Sequence, residues 1–263
     1  MPDESGSHLG AYLALIRDEC GFEKSWAYRG QSLASWRLLP AIARHEPKVD
    51  PKGKEVEAFK ELRLRLPSVY SGSPLDNWDL LALIQHHGAP TRLLDWTRSP
   101  LIALWFAVSG RVRQHDGGDA TVWACSTATG DYVTEVERSS SDPFNIERTK
   151  FFESPYFDRR LAAQQGLFSI HRYWEDGSRV VPFDGVSGFK ERLRRVLIPP
   201  HIFHSLIQEL DHAGINAATI FPDLSGLCRH LAIQHSLAPR VISGYVVASI
   251  EHRVSALGSQ VES

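Results

Sequence analysis

Cysteine is scarce in this chain. Cys20, Cys125 and Cys228 are odd in number and far apart among 263 residues. They read as reduced thiols, which excludes a disulfide-stapled scaffold. No apolar run is long enough to span a bilayer. Neither sign of charge dominates: the formal net charge is -2 and the pI about 6.6. There is thus no global pull toward nucleic acid or anionic membrane, although a local basic patch stays compatible with these figures. GxGxxG, P-loop and GxSxG patterns are absent, which removes the usual evidence for three common catalytic classes. HExxH, CxxC and EF-hand patterns are absent too, so no metal site is expected. No repeat period and no low-complexity linker divides the sequence.

What is present suits a globular fold. Hydrophobic residues make up 43% and charged residues 23%, and a chain of 263 residues buries a substantial core unaided. The opening MPDESGSHLG is acidic and polar, unlike a signal peptide, so a soluble cytoplasmic protein is expected. Helical spacing of Leu9, Tyr12, Leu13 and Ile16 predicts a helix over 8–20, and Val56, Phe59, Leu62 and Leu66 predict another over 51–66. SWAYRG (25–30), TRLLDWT (91–97), ATVWACS (120–126), TKFF (149–152), LFSIH (167–171) and RVLIPP (195–200) read as short strands. RQHDGGD (113–119) is a turn, and RVISGYVVASI (240–250) alternates weakly. Asp76 caps a helix that Gly88 and Pro90 stop. Ser154–Pro155 opens a helix running to Gln165 and closed by Gly166. A helix over 201–214 stops at Gly214, and another starts near Asp223. The last dozen residues are expected to fray. The expectation is an α+β single domain of short strands and surrounding helices over 1–263.

One stretch carries more polar chemistry than folding needs: QHHGAPTRLLDWTRSPLIALWFAV, 85–108. Ser99 and Pro100 form an N-cap and N1 pair for LIALWFAV, a helix apolar nearly all round and therefore buried. In front of it, His86, His87, Thr91, Arg92, Asp95 and Thr97 bracket a strand. Alternation puts Thr91, Leu93, Asp95 and Thr97 on one face, and Arg92, Leu94 and Trp96 on the other. Asp95 and Thr97 then share a face near a strand end, where ligands bind. The same residues also fit structural ion pairs through Arg92 and Asp95, with the histidines closing the preceding helix.

Other positions carry the same two readings. Tyr28-Arg29-Gly30, extended by Gln31, puts a guanidinium at a strand end beside a flexible glycine. That suits a pyrophosphate or carboxylate, and equally a surface arginine before a turn. Gln165 beside Gly166 offers an amide that donates and accepts, fit for a ribose hydroxyl or simply a solvated helix end. His201 and His204, three apart, and the Arg192, Arg194 and Arg195 run read as a helix face and a solvated face. Trp96, Trp105 and Phe106 read as core.

Together these pieces resemble the FRG domain family, named for a Phe-Arg-Gly motif that stands here as Tyr28-Arg29-Gly30. The stretch 85–108 resembles its central signature. AQQGLF (163–168) resembles its third motif and GINAATIFPDLSGL (214–227) its C-terminal segment, so the likeness spans roughly 20–230. A more distant resemblance is to ADP-ribosyltransferases, through the order of an arginine strand, a strand ending in Thr before an A-x-x-FA-like helix, and a third polar motif. This implies a split sheet, NAD as substrate, and a protein or nucleic acid acceptor. Arg29, Gly30, Gln31, His86, His87, Thr91 and Arg92 would hold NAD, and Gln165, Asp95 and Thr97 would form the catalytic set. Those enzymes usually carry a glutamate in the third motif, where this chain has Gln164-Gln165. A glutamine is no general base, so Asp95, a histidine or the acceptor itself would take the acceptor's proton. A toxin or defence effector would fit this chemistry. A non-catalytic module binding nucleotide, nucleic acid or protein, and an NAD glycohydrolase, are the alternatives.

Overall fold

The computed structural model describes residues 6–21, 25–44, 50–110, 118–155, 159–174 and 179–235. Their elements run α1 (His8–Cys20), β1 (Trp26–Gln31), α2 (Pro51–Arg65), α3 (Asn77–His86), β2 (Leu93–Thr97), α4 (Pro100–Val108), β3 (Ala120–Ser126), α5 (Glu135–Ser140), β4 (Lys150–Phe152), α6 (Arg159–Ala163), β5 (Gly166–Ile170), β6 (Leu193–Ile198), α7 (Phe203–His212), α8 (Ala217–Ile220) and α9 (Leu224–Gln234). The strands form one sheet in the order β4-β5-β2-β1-β3-β6, every adjacent pair antiparallel. The α+β expectation is met.

The caps act where the sequence places them. Asp76 accepts from the Asp79 N–H at 2.8 Å and starts α3, and Gly88 beyond its end takes φ 89°. Ser99 accepts from the Ile102 N–H at 3.3 Å and starts α4. With little polar surface to offer water, α4 is buried against β1 and β3, in a core shared with α1 and α7. A second core gathers α2, α3, Leu93 and Phe168, and a third lies around Leu94, Trp96, Phe151 and Phe183. Leu93 and Leu94 thus point to opposite faces, as alternation requires.

Several boundaries differ from the sequence reading. β2 begins at Leu93, not Thr91, because side chains take the preceding amides: Thr91 Oγ1 accepts the Leu93 N–H at 3.0 Å and Glu55 accepts the Arg92 N–H at 2.8 Å. The segment expected to be helical from Ser154 starts irregularly, and the Ser154 hydroxyl donates to Asp79 at 2.6 Å. At the far end of α6 the left-handed residue is Gln165, φ 46°, not Gly166. Gly166 already belongs to β5, paired with Thr97, and a Cβ there would lie 2.5 Å from Leu161 Cδ1. The prolines that end β6 impose a short 3-10 turn, Pro200–Ile202, so the helix expected from residue 201 begins at Phe203. Gly214 stops it as expected, at φ 79°. The segments 240–250 and 251–263, and most of 113–119, lie outside the described residues.

Candidate functional site

The centre of the sheet is loosely joined. Every residue of β1 is registered against β3 and every residue of β2 against β5, but β1 and β2 share one registered pair, Tyr28–Thr97. Beyond that pair, Arg29 bridges the two strands. Its Nη1 donates to the main-chain carbonyl of Asp95 and lies 3.8 Å from Asp95 Oδ2.

Asp95 is the exposed residue of β2, its neighbours Leu93, Leu94, Trp96 and Thr97 all being buried. Its side chain keeps 56% of its surface in water and that of Arg29 keeps 14%. An acid in a central strand gains no packing, but here it is held by a directed chain. The Thr91 hydroxyl donates to Gln85 Oε1 at 2.7 Å, which turns the Gln85 amide so that Nε2 donates to Asp95 Oδ2 at 3.0 Å. Thr91 is itself fixed by accepting from the Leu93 N–H. Arg44 adds a second guanidinium: burial lowers its pKa, and the negative charge of Asp95 acts to raise it. The result is a fixed carboxylate at the water boundary with two cations near it, a set able to bind a polar ligand and to accept a proton.

The other predicted residues fall into place around this cluster or apart from it. A Cβ on Gly30 would lie 1.9 Å from the Ala103 carbonyl oxygen and 2.6 Å from the Ala107 nitrogen. The close approach that Gly30 permits is therefore that of α4, where a ligand was expected. Gln31 is buried with both ends of its amide used: Nε2 donates to the Arg37 carbonyl at 3.2 Å and Oε1 accepts from Trp123 Nε1 at 2.9 Å. Thr97 is buried as well. Its hydroxyl donates to the Gln164 carbonyl at 2.7 Å and accepts from the Ser99 N–H at 3.0 Å, which ties β2 to the start of α4 and to the corner before β5. Arg92 is fully buried and paired with Glu55, apart from the Asp95 cluster. His86, half-buried, and His87, exposed, close α3 with their rings edge-on at 5.4 Å. Gln165 is exposed, and its carbonyl accepts the Arg98 N–H at 3.0 Å. It stands at the strand corner next to Thr97. A left-handed glutamine costs backbone energy, and such positions are concentrated at sites where geometry serves function.

Sequence reasoning missed Gln85 as the group that orients Asp95, although it lies in the signature stretch. It also missed Arg44, which nothing local in the sequence marks. His171 was read only as the end of a strand. It is fully buried: the Trp96 indole donates to the Ser169 hydroxyl at 2.9 Å, that hydroxyl meets His171 Nε2 at 3.1 Å, and His171 Nδ1 meets the Val181 carbonyl at 3.2 Å. A carbonyl can only accept, so Nδ1 carries the proton and Nε2 accepts from Ser169. Burial, helped by the charges of Arg29 and Arg92, pushes its pKa down to about 4. Among the described residues, no group of three or more His, Cys, Asp or Glu is placed to hold a metal, and no helix is long and apolar enough to cross a membrane.

The FRG domain family model matches residues 24–116. This interval contains β1, α2, α3, β2 and α4, and with them Arg29, Arg44, Gln85 and Asp95. Gln165 and the third and C-terminal motifs lie beyond it. No curated protein and no solved structure matches the chain.

Proposed function

We propose, with the FRG domain at residues 24–116 as the premise, that this chain is an NAD-dependent ADP-ribosyltransferase. The observation that carries this reading is the pairing of Arg29 with the exposed, doubly restrained Asp95 where β1 and β2 lose their register. A guanidinium at the water boundary suits a phosphate oxygen of NAD. A fixed carboxylate suits the positive character that grows on the ribose as the nicotinamide bond breaks. In the overall change, nicotinamide leaves with the bonding electron pair, and the acceptor's nucleophile bonds to the same carbon and gives up its proton. Gln165 has no basic atom for that proton, so Asp95 is its natural acceptor, while the Gln165 amide orients a hydroxyl. The acceptor, protein or nucleic acid, approaches from the exposed side of Asp95.

The test is nicotinamide release from NAD by the full chain, with mass analysis of cellular protein and nucleic acid for added ADP-ribose. Arg29→Ala and Gln165→Ala are each expected to abolish turnover and leave the fold intact. NAD that stays uncut with every acceptor fraction overturns the proposal. Glutamine in place of the usual glutamate favours a second reading, a non-catalytic module that binds NAD or nucleic acid, and binding without nicotinamide release would select it. Nicotinamide release with no labelled acceptor would instead identify an NAD glycohydrolase.

A further inference from the structure

The two carboxylate oxygens of Asp95 are held differently. Oδ2 accepts from Gln85 Nε2 at 3.0 Å, and it is the oxygen 3.8 Å from Arg29 Nη1. Among the described residues, no hydrogen-bond donor is directed at Oδ1. The division is set by Thr91, a buried residue whose hydroxyl must find its partners inside the protein. That hydroxyl accepts from the Leu93 N–H at 3.0 Å, so its single proton goes to Gln85 Oε1, 2.7 Å away. Oε1 is thereby kept on the Thr91 side and Nε2 on the Asp95 side. The reverse amide orientation would press Oε1 against the carboxylate and leave the Thr91 proton without its acceptor. The chain of hydrogen bonds therefore runs one way, from a main-chain N–H to a carboxylate.

Thr91 anchors a second part of the site. Its main-chain carbonyl accepts the Ile42 N–H at 3.4 Å, which ties the 3-10 turn Ala41–Ala43 to the entry of β2. Arg44 follows that turn, and its Nε donates to the Leu39 carbonyl at 3.1 Å. One buried threonine thus fixes the carboxylate of Asp95 and the turn that carries the cation acting on it. The Thr91 hydroxyl and Gln85 Oε1 are spent on each other. What these two residues do to a ligand, they do through Asp95.

We propose that Thr91 and Gln85 are positioning residues, which hold Asp95 by Oδ2 and so make Oδ1 the oxygen that takes the acceptor's proton. The proposal rests on the transferase reading of the Asp95 site. As nicotinamide leaves with the bonding electron pair, the acceptor's nucleophile bonds to the ribose carbon. Its proton passes to Oδ1, and the carboxylate becomes a neutral carboxyl. Gln85 donates to Oδ2 throughout, so the base does not turn away from the bond being made.

Thr91→Val, Thr91→Ser and Gln85→Met in the full chain test it. Thr91→Val removes the hydroxyl at nearly constant volume. Gln85→Met keeps the length of the side chain and leaves the bond between Leu93 and Thr91 in place, so a loss shared by both variants is not a folding defect. Each is expected to lower kcat for NAD by about 10- to 10²-fold, the cost of displacing a reacting group by about 1 Å, with KM within about twofold. Thr91→Ser retains the hydroxyl and should recover most of that kcat. In an Asp95→Asn background, Gln85→Met should cost nothing further, because nothing is left to position. Protection of the Gln85 side-chain amide from hydrogen exchange, read by NMR, should be lost in Thr91→Val and kept in Thr91→Ser. A raised KM at unchanged kcat, or an additive loss in the Asp95→Asn background, would overturn the proposal by giving these residues contacts of their own with substrate. A wild-type chain that leaves NAD uncut removes the transferase reading and the assignment of the proton to Oδ1 with it. Full activity in Thr91→Val, beside a wild-type chain that turns NAD over, overturns the positioning role alone.

Discussion

Arg92 and Asp95 stand three residues apart, and each is half of an arginine–carboxylate pair, but the two pairs are built in opposite ways. Arg92 and Glu55 have side chains only 1% and 4% exposed, and Glu55 also accepts the Arg92 main-chain N–H. Arg29 and Asp95 meet at 3.8 Å with the carboxylate 56% exposed. Two ions withdrawn from water are stable only while each satisfies the other, so the buried pair locks the entry of β2 against α2. The outer pair is weakly coupled and open to water, which is the condition for a carboxylate that must meet a ligand. The same residue types thus serve structure at one end of a five-residue strand and chemistry in its middle.

Removing Glu55 is the most severe way to break this contrast. Glu55→Ala leaves a guanidinium buried without its counter-charge, and a loss of about 3–5 kcal/mol is expected. Urea denaturation measures it. A loss no larger than that of the Asp95 variants described below would erase the distinction between the two pairs.

His171 links the two regions, because both Arg29 and Arg92 disfavour its charged form. Its folded pKa, about 4, is depressed below the ordinary value of 6.5. Between these values the unfolded chain binds the extra proton and the folded chain does not. The stability tied to neutral His171 is therefore full above about pH 6.5 and is lost as pH falls toward 4, on the order of 3 kcal/mol in all. Denaturation midpoints across that range should show the slope, and His171→Phe should flatten it. A wild-type slope that persists in the variant would assign the effect to other groups.

The sequence made the scaffold of this contrast readable and concealed its partners. Ser99–Pro100 and Asp76 announce their helices through local chemistry, and β1 and β3 follow from short apolar runs, so these elements stand where they were expected. Alternation put Asp95 and Thr97 on one face of β2. It could not tell that the start of α4 and the Gln164 carbonyl cover Thr97 and leave Asp95 open. Gly30 was legible as a place of close approach, but what approaches is α4, at Ala103 and Ala107 much further along the chain. Arg92 looked like a ligand-binding arginine because its carboxylate lies 37 residues away on another helix. Arg44 and Glu55 were not legible at all: each is one charge on a polar segment, and only the fold decides which charge it meets.

Asp95 gives the smallest effect on stability and the sharpest one on function. Asp95→Asn keeps the size of the side chain and an oxygen to accept from Gln85, and removes the charge seen by Arg29 and Arg44. Exposed pairs contribute about 0–1 kcal/mol, so the urea midpoint should move little. Under the proposed reaction the same change removes the proton acceptor and the negative charge beside the ribose, and turnover of NAD should fall by about 10²-fold or more. Asp95→Ala, which also frees Gln85, should lose no less activity and only slightly more stability. A variant that is markedly less stable and fully active would mean that the outer pair is a second structural anchor, and that the chemistry of this domain lies elsewhere than at the junction of β1 and β2.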